Sequence, residues 1–295
     1  HMKDKLNQIF FAAPCIPAAT LLLVFLAGCT GNKPDYQLIS AFQDYSVPGY
    51  VAGPADSGRV LVIVPHADDE TIAGGLIAML KDHGATIHLL TLCGHDEERT
   101  RELECSAAAL GIEHIETAGF INNTWDDIME DRITFWYDYQ DSIRNVISRG
   151  IESFRPDKII TYDSEIGGYG HPEHRISAEI TEQIFIENSG NPEFTPEMIF
   201  QITLSDSLEK FLVSRSPGYE LQKRITESEG LPTPDVAVDI RKYWKTKNRA
   251  AMCHQSQIDI LRRFFIVYDE EDEAEHTEAL SMEYYRVIRR QEPWF

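Results

Sequence analysis

Two short stretches hold most of the side chains in this sequence that could do chemistry. In PHADDE, residues 65–70, one imidazole, His66, is followed by three carboxylates, Asp68, Asp69 and Glu70. In YDSEIGGYGHPEHR, residues 162–175, three glycines precede two histidines, His171 and His174, spaced i and i+3. A catalytic zinc takes three nitrogen or oxygen ligands and keeps a fourth position open for water. His66, Asp69 and one of the two later histidines supply such a set. A metal held this way brings the pKa of water toward neutrality. Asp68 adjoins Asp69 but cannot point the same way, so it can take the proton from that water. The second histidine can stabilise or protonate what leaves, and Glu70 orients its neighbours. Taken singly, each stretch has an ordinary explanation: acids favour a helix N-terminus, and a proline starts a helix well. Their convergence is what indicates metal-assisted hydrolysis.

Convergence requires a scaffold. Residues 60–64 are too few for a helix and rich in β-branched side chains, which predicts a strand covered on both faces with the acids at its carboxyl end. TIAGGLIAMLKDHG has apolar residues at helical spacing and stops at Gly84, and TIHLLTLC from Thr86 reads as the next strand. EERTRELECSAAALG predicts a second helix ended by Gly111, and the stretch 135–154 a third. KIITY is then a strand, EHRISAEITEQIFIEN a helix and MIFQITL a strand. This alternation predicts an α/β fold with a mainly parallel sheet and helices on both faces, as one domain. Both polar clusters then project from the carboxyl edge of that sheet, where open α/β folds bind ligands. Residues 204–234 read as an irregular insertion and DEEDEAEHTE as a solvated acidic run.

At these same residues the sequence resembles the PIG-L or LmbE-like N-deacetylases. Their signature reads Ala/Pro-His-Pro-Asp-Asp-Glu, with His-Pro-Asp-His following later; PHADDE and HPEH, residues 171–174, are the counterparts here. The resemblance implies a Rossmann-like three-layer sandwich, zinc or another divalent metal held by His66, Asp69 and His174, and Asp68 as general base. It makes His171 the group that stabilises the transition state or acts as acid. Tyr169, in GGYGHPEH, becomes the residue that polarises the amide carbonyl. KTKNRAAMCHQSQ, residues 245–257, is similar to the family's late helix with its His-x-Ser-Gln ending. Ala67 replaces the usual proline and Glu173 an aspartate, and neither change deletes a ligand.

The implied reaction removes an N-acetyl or N-acyl group from an amino sugar, such as an N-acetylglucosamine derivative, or from a glucosaminyl conjugate. The alternative is a surface lipoprotein that binds carbohydrate without turnover. Asp68, His171 and Tyr169 favour the enzyme, because a binding module needs no proton-transfer group beside a metal. In related proteins the loop and helix start after the second strand bind substrate, which makes Asp96 and Arg101 candidates there. An exposed helix with i,i+4 ion pairs would show the same residues.

Composition narrows the partners. The 295 residues, 43% apolar and 10% aromatic, are enough to bury a substantial core. With 27 Lys and Arg against 48 Asp and Glu, the net charge of −21 argues against nucleic-acid or anionic-membrane partners. The leading HM reads as an expression scar. Lys3 and Lys5 then precede an apolar run over residues 9–26 that ends in LAGC, residues 26–29. This resembles a bacterial lipoprotein signal and implies cleavage before Cys29 and lipidation there. The expected division is signal over residues 1–28, polar tether over 29–50 and one catalytic domain over 51–295. An uncleaved transmembrane anchor is the alternative. Either reading places the catalytic part in the cell envelope, touching the membrane only through its anchor. Cys93, Cys105 and Cys253 remain, an odd number without a close pairing motif, so no disulfide framework is expected. Cys93 reads as a small buried apolar residue, TFWYDY, residues 134–139, as core, and His254 as a structural hydrogen-bonding group.

Overall fold

The run RVLVIV alternates between two hydrophobic clusters: Val60, Val62 and Val64 lie in one, Leu61 and Ile63 in the other. A strand buried on both faces belongs in the middle of a sheet. The computed structural model describes residues 34–290 apart from 54, 55, 131 and 133, and its compact unit begins at Tyr36. Eight strands form one sheet: β1 (Gly49–Tyr50), β2 (Arg59–Val64), β3 (Thr86–Cys93), β4 (His114–Phe120), β5 (Lys158–Tyr162), β6 (Met198–Thr203), β7 (Val236–Asp239) and β8 (Met282–Arg289). Their order is β1-β7-β8-β6-β5-β2-β3-β4. Every pairing is parallel except those of β8, which runs antiparallel between β6 and β7.

Six of the helices supply the layers around this sheet and the surroundings of the site: α1 (Tyr36–Ser40), α2 (Gly74–Asp82), α3 (Glu97–Leu110), α4 (Gln140–Phe154), α5 (Pro172–Asn188) and α6 (Trp244–Ala251). The first cluster joins Leu76, Ile77 and Leu80 of α2, Leu103, Ala107 and Leu110 of α3, and Trp244 and Ala250 of α6. The second joins Ile143, Ile147 and Ile151 of α4 with Ile176, Ile180 and Ile184 of α5. These isoleucine stripes at i, i+4 and i+8 each form one helix face. Each such buried side chain contributes about 1.5–3 kcal/mol. The expected three-layer α/β sandwich is thus observed. From β2 the chain winds outward through β3 to β4, then returns to the other side of β2 with β5 and winds outward to β6. The crevice between the carboxyl ends of β2 and β5 is therefore the switch point at which such folds bind ligands.

Several expectations need correction. Residues 36–50, expected as tether, include α1, whose Tyr36 and Ile39 are buried, and β1, which pairs with β7. The stretch 204–234 is not irregular throughout, because it folds as helices Asp206–Leu212 and Pro217–Thr226. The acidic run is only partly solvated: the helix Glu273–Ala279 buries His276 and Ala279. The third helix is interrupted at Tyr139, although Trp136 is core as expected. Cys105 and Cys253 form a disulfide across 148 residues. Cys29 and the expected signal lie outside the described residues.

Candidate active site

The chain leaves β2 through a turn built around an unusual backbone. Asp68 has φ 127°, a region that side-chain-bearing residues rarely adopt and that persists only where the surroundings overdetermine it. Its N–H donates to Glu70 Oε2 at 3.0 Å, and its carbonyl accepts from Thr71 Oγ1 at 2.6 Å. Glu70 has no exposed surface. Its Oε1 accepts from Ser106 and lies 2.7 Å from His254 Nε2. Against the cost of burial, His254 and Ser106 hold the Glu70 carboxyl below its ordinary range. Glu70 thus orients its neighbour as the sequence suggested, and His254 has the expected structural bond.

The second turn follows β5. Asp163, fully buried, accepts backbone N–H groups from Glu165, Ile166 and Gly167 on Oδ1 and from Gly168 on Oδ2, which folds the glycine loop around one carboxylate. Close approach explains two of the glycines: a Cβ on Gly167 would lie 2.5 Å from Arg175 N, and one on Gly170 would lie 2.1 Å from Tyr219 N. His171 is the N-cap of α5, its Nδ1 accepting from Glu173 N at 3.3 Å, and Pro172 follows as the first helical residue. One turn on, His174 places Nδ1 3.3 Å from the Gly167 carbonyl and stacks on Tyr162 with ring centroids 3.9 Å apart.

The two turns meet in a triangle of ligand atoms. His66 Nδ1 lies 3.0 Å from His174 Nε2 and 3.1 Å from Asp69 Oδ2, and His174 Nε2 lies 3.2 Å from Asp69 Oδ1. Each imidazole has its other nitrogen engaged. His66 Nε2 faces Glu173 Oε2 at 2.6 Å, and the Gly167 carbonyl can only accept, so His174 carries a proton on Nδ1. Two nitrogen lone pairs and a carboxylate therefore converge. The ligand atoms of a tetrahedral zinc lie about 3.3 Å apart, so the three atoms match one face of such a site. Asp69 is further braced by the Tyr162 hydroxyl on Oδ1 at 2.8 Å, and against burial the His174 and His66 imidazoles hold its carboxyl well below the usual range.

Two overlapping sets also bring ligand atoms within 4.8 Å of one another: His66 with His171 and His174, and His66 with Cys93 and Glu173. The first set spends the remaining nitrogen of His171, and the second requires a thiolate. Burial pushes the Cys93 thiol up to about 12, and its sulfur lies 3.2 Å from Glu173, so it remains a thiol. Glu173 also accepts from the Asn123 backbone and side chain, so it holds His66 in place and keeps its Nδ1 turned toward Asp69.

Asp68 stands beside this triangle with 16% of its side chain exposed. Burial and the charge of Asp69 push its carboxyl up to about 7, against the pull of Arg99. Burial, with His66 and His174 close by, keeps the His171 imidazole neutral, and its Nε2 has no hydrogen-bond partner among the described residues. Tyr169 sits with its ring 5.2 Å from that of His174 and stacked on Phe264, and Trp125 lies 5.5 Å from His171 and 5.9 Å from Tyr169. These rings form an aromatic wall beside the ligand triangle.

The structure brings together His66, Asp68, Asp69, Tyr169, His171 and His174. It does not bring Arg101 or Asp96 to them. Arg101 is 68% exposed and pairs with Glu97 one turn away, and Asp96 caps α3 by accepting from Arg99 N. Arg99 is the residue of that helix that enters the site, donating to Asp68 Oδ1 at 3.0 Å and to the Ala67 carbonyl. Sequence reasoning missed Arg99, Asp163, Asn123 and Trp125. An arginine one turn inside a helix that starts at the carboxyl edge was the available signal for Arg99; the others had none.

Comparison with known proteins agrees with this arrangement. The family described as PIG-L, GlcNAc-PI de-N-acetylase, matches residues 61–185, which include both turns. A 1D-myo-inositol 2-acetamido-2-deoxy-alpha-D-glucopyranoside deacetylase of Thermobifida fusca is 27% identical over 275 residues, covering 80% of this chain and 94% of that protein. One of Frankia casuarinae is 25% identical over 265 residues, covering 74% and 86%. Among solved structures, the A40926 pseudoaglycone deacetylase Dbv21 shares the fold, with a TM-score of 0.52 at 17% identity over 79% of this chain and 98% of that one. The family match and the relatives point to one class, the PIG-L or LmbE-like deacetylases. The chain is an enzyme, a metal-dependent N-deacetylase, similar to that class across both turns.

Proposed function

We propose that the chain hydrolyses the N-acetyl, or another N-acyl, group of an amino sugar or glucosaminyl conjugate, with zinc or another divalent metal held by His66, Asp69 and His174. The observation that carries this reading is the meeting of His66 Nδ1, His174 Nε2 and the Asp69 carboxylate beside an Asp68 in a strained turn. The relatives' action on an acetamido sugar supports the substrate class. A cation bound there supplies Lewis acidity toward water and the amide carbonyl. Asp68 takes the proton of the attacking water, and its raised pKa suits a group that must later release it near neutral pH. His171, neutral and with Nε2 unengaged, donates toward the oxyanion or the departing nitrogen. Tyr169 donates its hydroxyl where the carbonyl oxygen gains charge, an interaction stronger in the transition state than before it. Trp125 and Phe264 offer flat apolar faces to a pyranose ring.

The test is acetate release from a panel of N-acetylglucosamine derivatives, with zinc added and with a chelator. Release that requires the metal is expected. Sugar binding without release from any member would leave the carbohydrate-binding alternative standing in its place. Changing His66, Asp69 or His174 to Ala is expected to lower metal content by elemental analysis, whereas His171→Ala should keep the metal and lose activity.

The proposal extends to location: the enzyme is exported and anchored through a lipidated Cys29. The LAGC sequence supports this, and so does the Cys105–Cys253 disulfide, a bond that persists in oxidising compartments. Full-length protein made in a Gram-negative host should fractionate with membranes, and Cys29→Ala should abolish lipid attachment. Unmodified wild-type protein in the cytosol would overturn it.

A further inference from the structure

The disulfide joins two places that share one inner target. Cys105 precedes Ser106 on α3, and Cys253 precedes His254 just beyond α6. Cys105 is exposed and Cys253 half-buried, whereas Ser106 and His254 have no exposed surface. Both of these inner residues reach the same oxygen, Glu70 Oε1. The other oxygen of Glu70 holds the N–H of Asp68, the residue at φ 127°. Among the described residues the remaining ring nitrogen of His254, Nδ1, is buried without a hydrogen-bond partner, so Glu70 supplies the side-chain hydrogen bond that orients this imidazole. Near the disulfide, Glu102 of α3 accepts both the N–H and the hydroxyl of Ser256, at 2.7 and 2.6 Å. Helix α3 and residues 253–256 are thus clamped at the surface, and the groups immediately inside the clamp brace the Asp68 turn.

We infer that the Cys105–Cys253 disulfide is a positioning element for Asp68: it keeps Ser106 and His254 together on Glu70, and Glu70 holds the backbone that aims the Asp68 carboxylate. The kinetic consequence rests on the deacetylase reading, whereas the structural coupling does not. Because Cys105 is exposed, a dithiol can approach and open the bond. Its thiolate attacks one sulfur to give a mixed disulfide, and its second thiol displaces the chain's thiolate. Two cysteine thiols are left on the protein, and the dithiol ends as its own disulfide. Glu70 then loses the tether that joins its two buried partners, and the strained turn loses part of what overdetermines it.

The experiment compares oxidised full-length protein, the same protein reduced by dithiothreitol, and the double variant Cys105→Ser/Cys253→Ser, all held below their measured melting temperatures. Hydrogen exchange is read on the peptide covering residues 66–72 and, as reference, on peptides from β2 and β5. Protection of 66–72 should fall in the reduced and variant proteins while the reference strands keep theirs. With a verified substrate, kcat should drop by about 10- to 100-fold, the usual cost of losing a group that orients a reacting residue, with KM and metal content unchanged. Reoxidation should restore the reduced wild type and not the variant. If the variant does not fold, the reduced wild type alone decides. Unchanged protection at 66–72, unchanged kcat with the bond shown to be open, or protection lost across β2 and β5 alike would each overturn the inference. Absence of deacetylation from every substrate would instead defeat the functional reading, and the exchange measurement would still decide the positioning role.

Discussion

Two acids flank helix α2, and the protein treats them in opposite ways. Glu283, on β8, receives the N–H groups of Gly75 and Leu76 at 2.8 Å each, the Lys247 ammonium at 2.7 Å and the Tyr285 hydroxyl at 2.7 Å. Lys247 in turn donates to the Ile72 carbonyl at 2.8 Å and lies 5.0 Å over the Trp244 ring. Every lone pair of that carboxylate is engaged, so it has nothing left to offer a substrate. Among the described residues the Asp68 carboxylate has one side-chain partner, Arg99; it sits on a strained backbone, and its carboxyl is pushed up to about 7 by burial and Asp69. Saturation makes a buried acid structural, and incomplete satisfaction beside a like charge makes one available for proton transfer.

Substitution can break this contrast. The largest effect is expected at Asp68→Asn, which keeps shape and metal content but cannot accept a proton: turnover should fall by about 10² to 10⁴ fold, read as kcat on a verified substrate at unchanged melting temperature. Wild-type turnover would shift attention to Glu70 or a histidine. Glu283→Gln should show the reverse pattern, because it strands the Lys247 ammonium in the core. Denaturant unfolding should show a loss of about 3–5 kcal/mol, with kcat per folded molecule near wild type. The smallest effects sharpen the contrast by way of a third acid: Asp96→Ala should cost about 1 kcal/mol as a lost helix cap, and Arg101→Ala should leave both kcat and KM unchanged. A raised KM in either would return these residues to the substrate site.

What the sequence made legible obeys the same physics. Strands β2, β3, β5 and β6 are buried on both faces and so appear as mostly apolar, β-branched-rich runs. Strand β4, HIETAGF, lies at the sheet edge and is largely exposed, which leaves no apolar pattern to read. Short β7 and the tyrosine- and arginine-bearing β8 were missed as well, since only their pairing partners make them strands. In the site, His66, Asp69 and His174 were legible because they sit in two compact motifs. Arg99 and Arg101 were confused because two residues of helix turn a side chain through about 200°, which separates the inner face from the solvent. The hold of Glu173 on His66 depends on Asn123, and the disulfide joins residues 148 apart; neither relation leaves a local trace.

The antiparallel strand β8 has a further consequence, in time. It is inserted between β6 and β7, so β7 and the β1 strand beyond it have no sheet to join until residues 282–289 have been made. During synthesis the doubly wound part, β2 to β6, can pair first, while β1 waits for a strand more than two hundred residues further along the chain. Such long-range pairing is slow and entropically costly. The final closure of this sheet therefore waits for residues 282–289, and a nascent chain held short of residue 282 keeps an open sheet edge at β6.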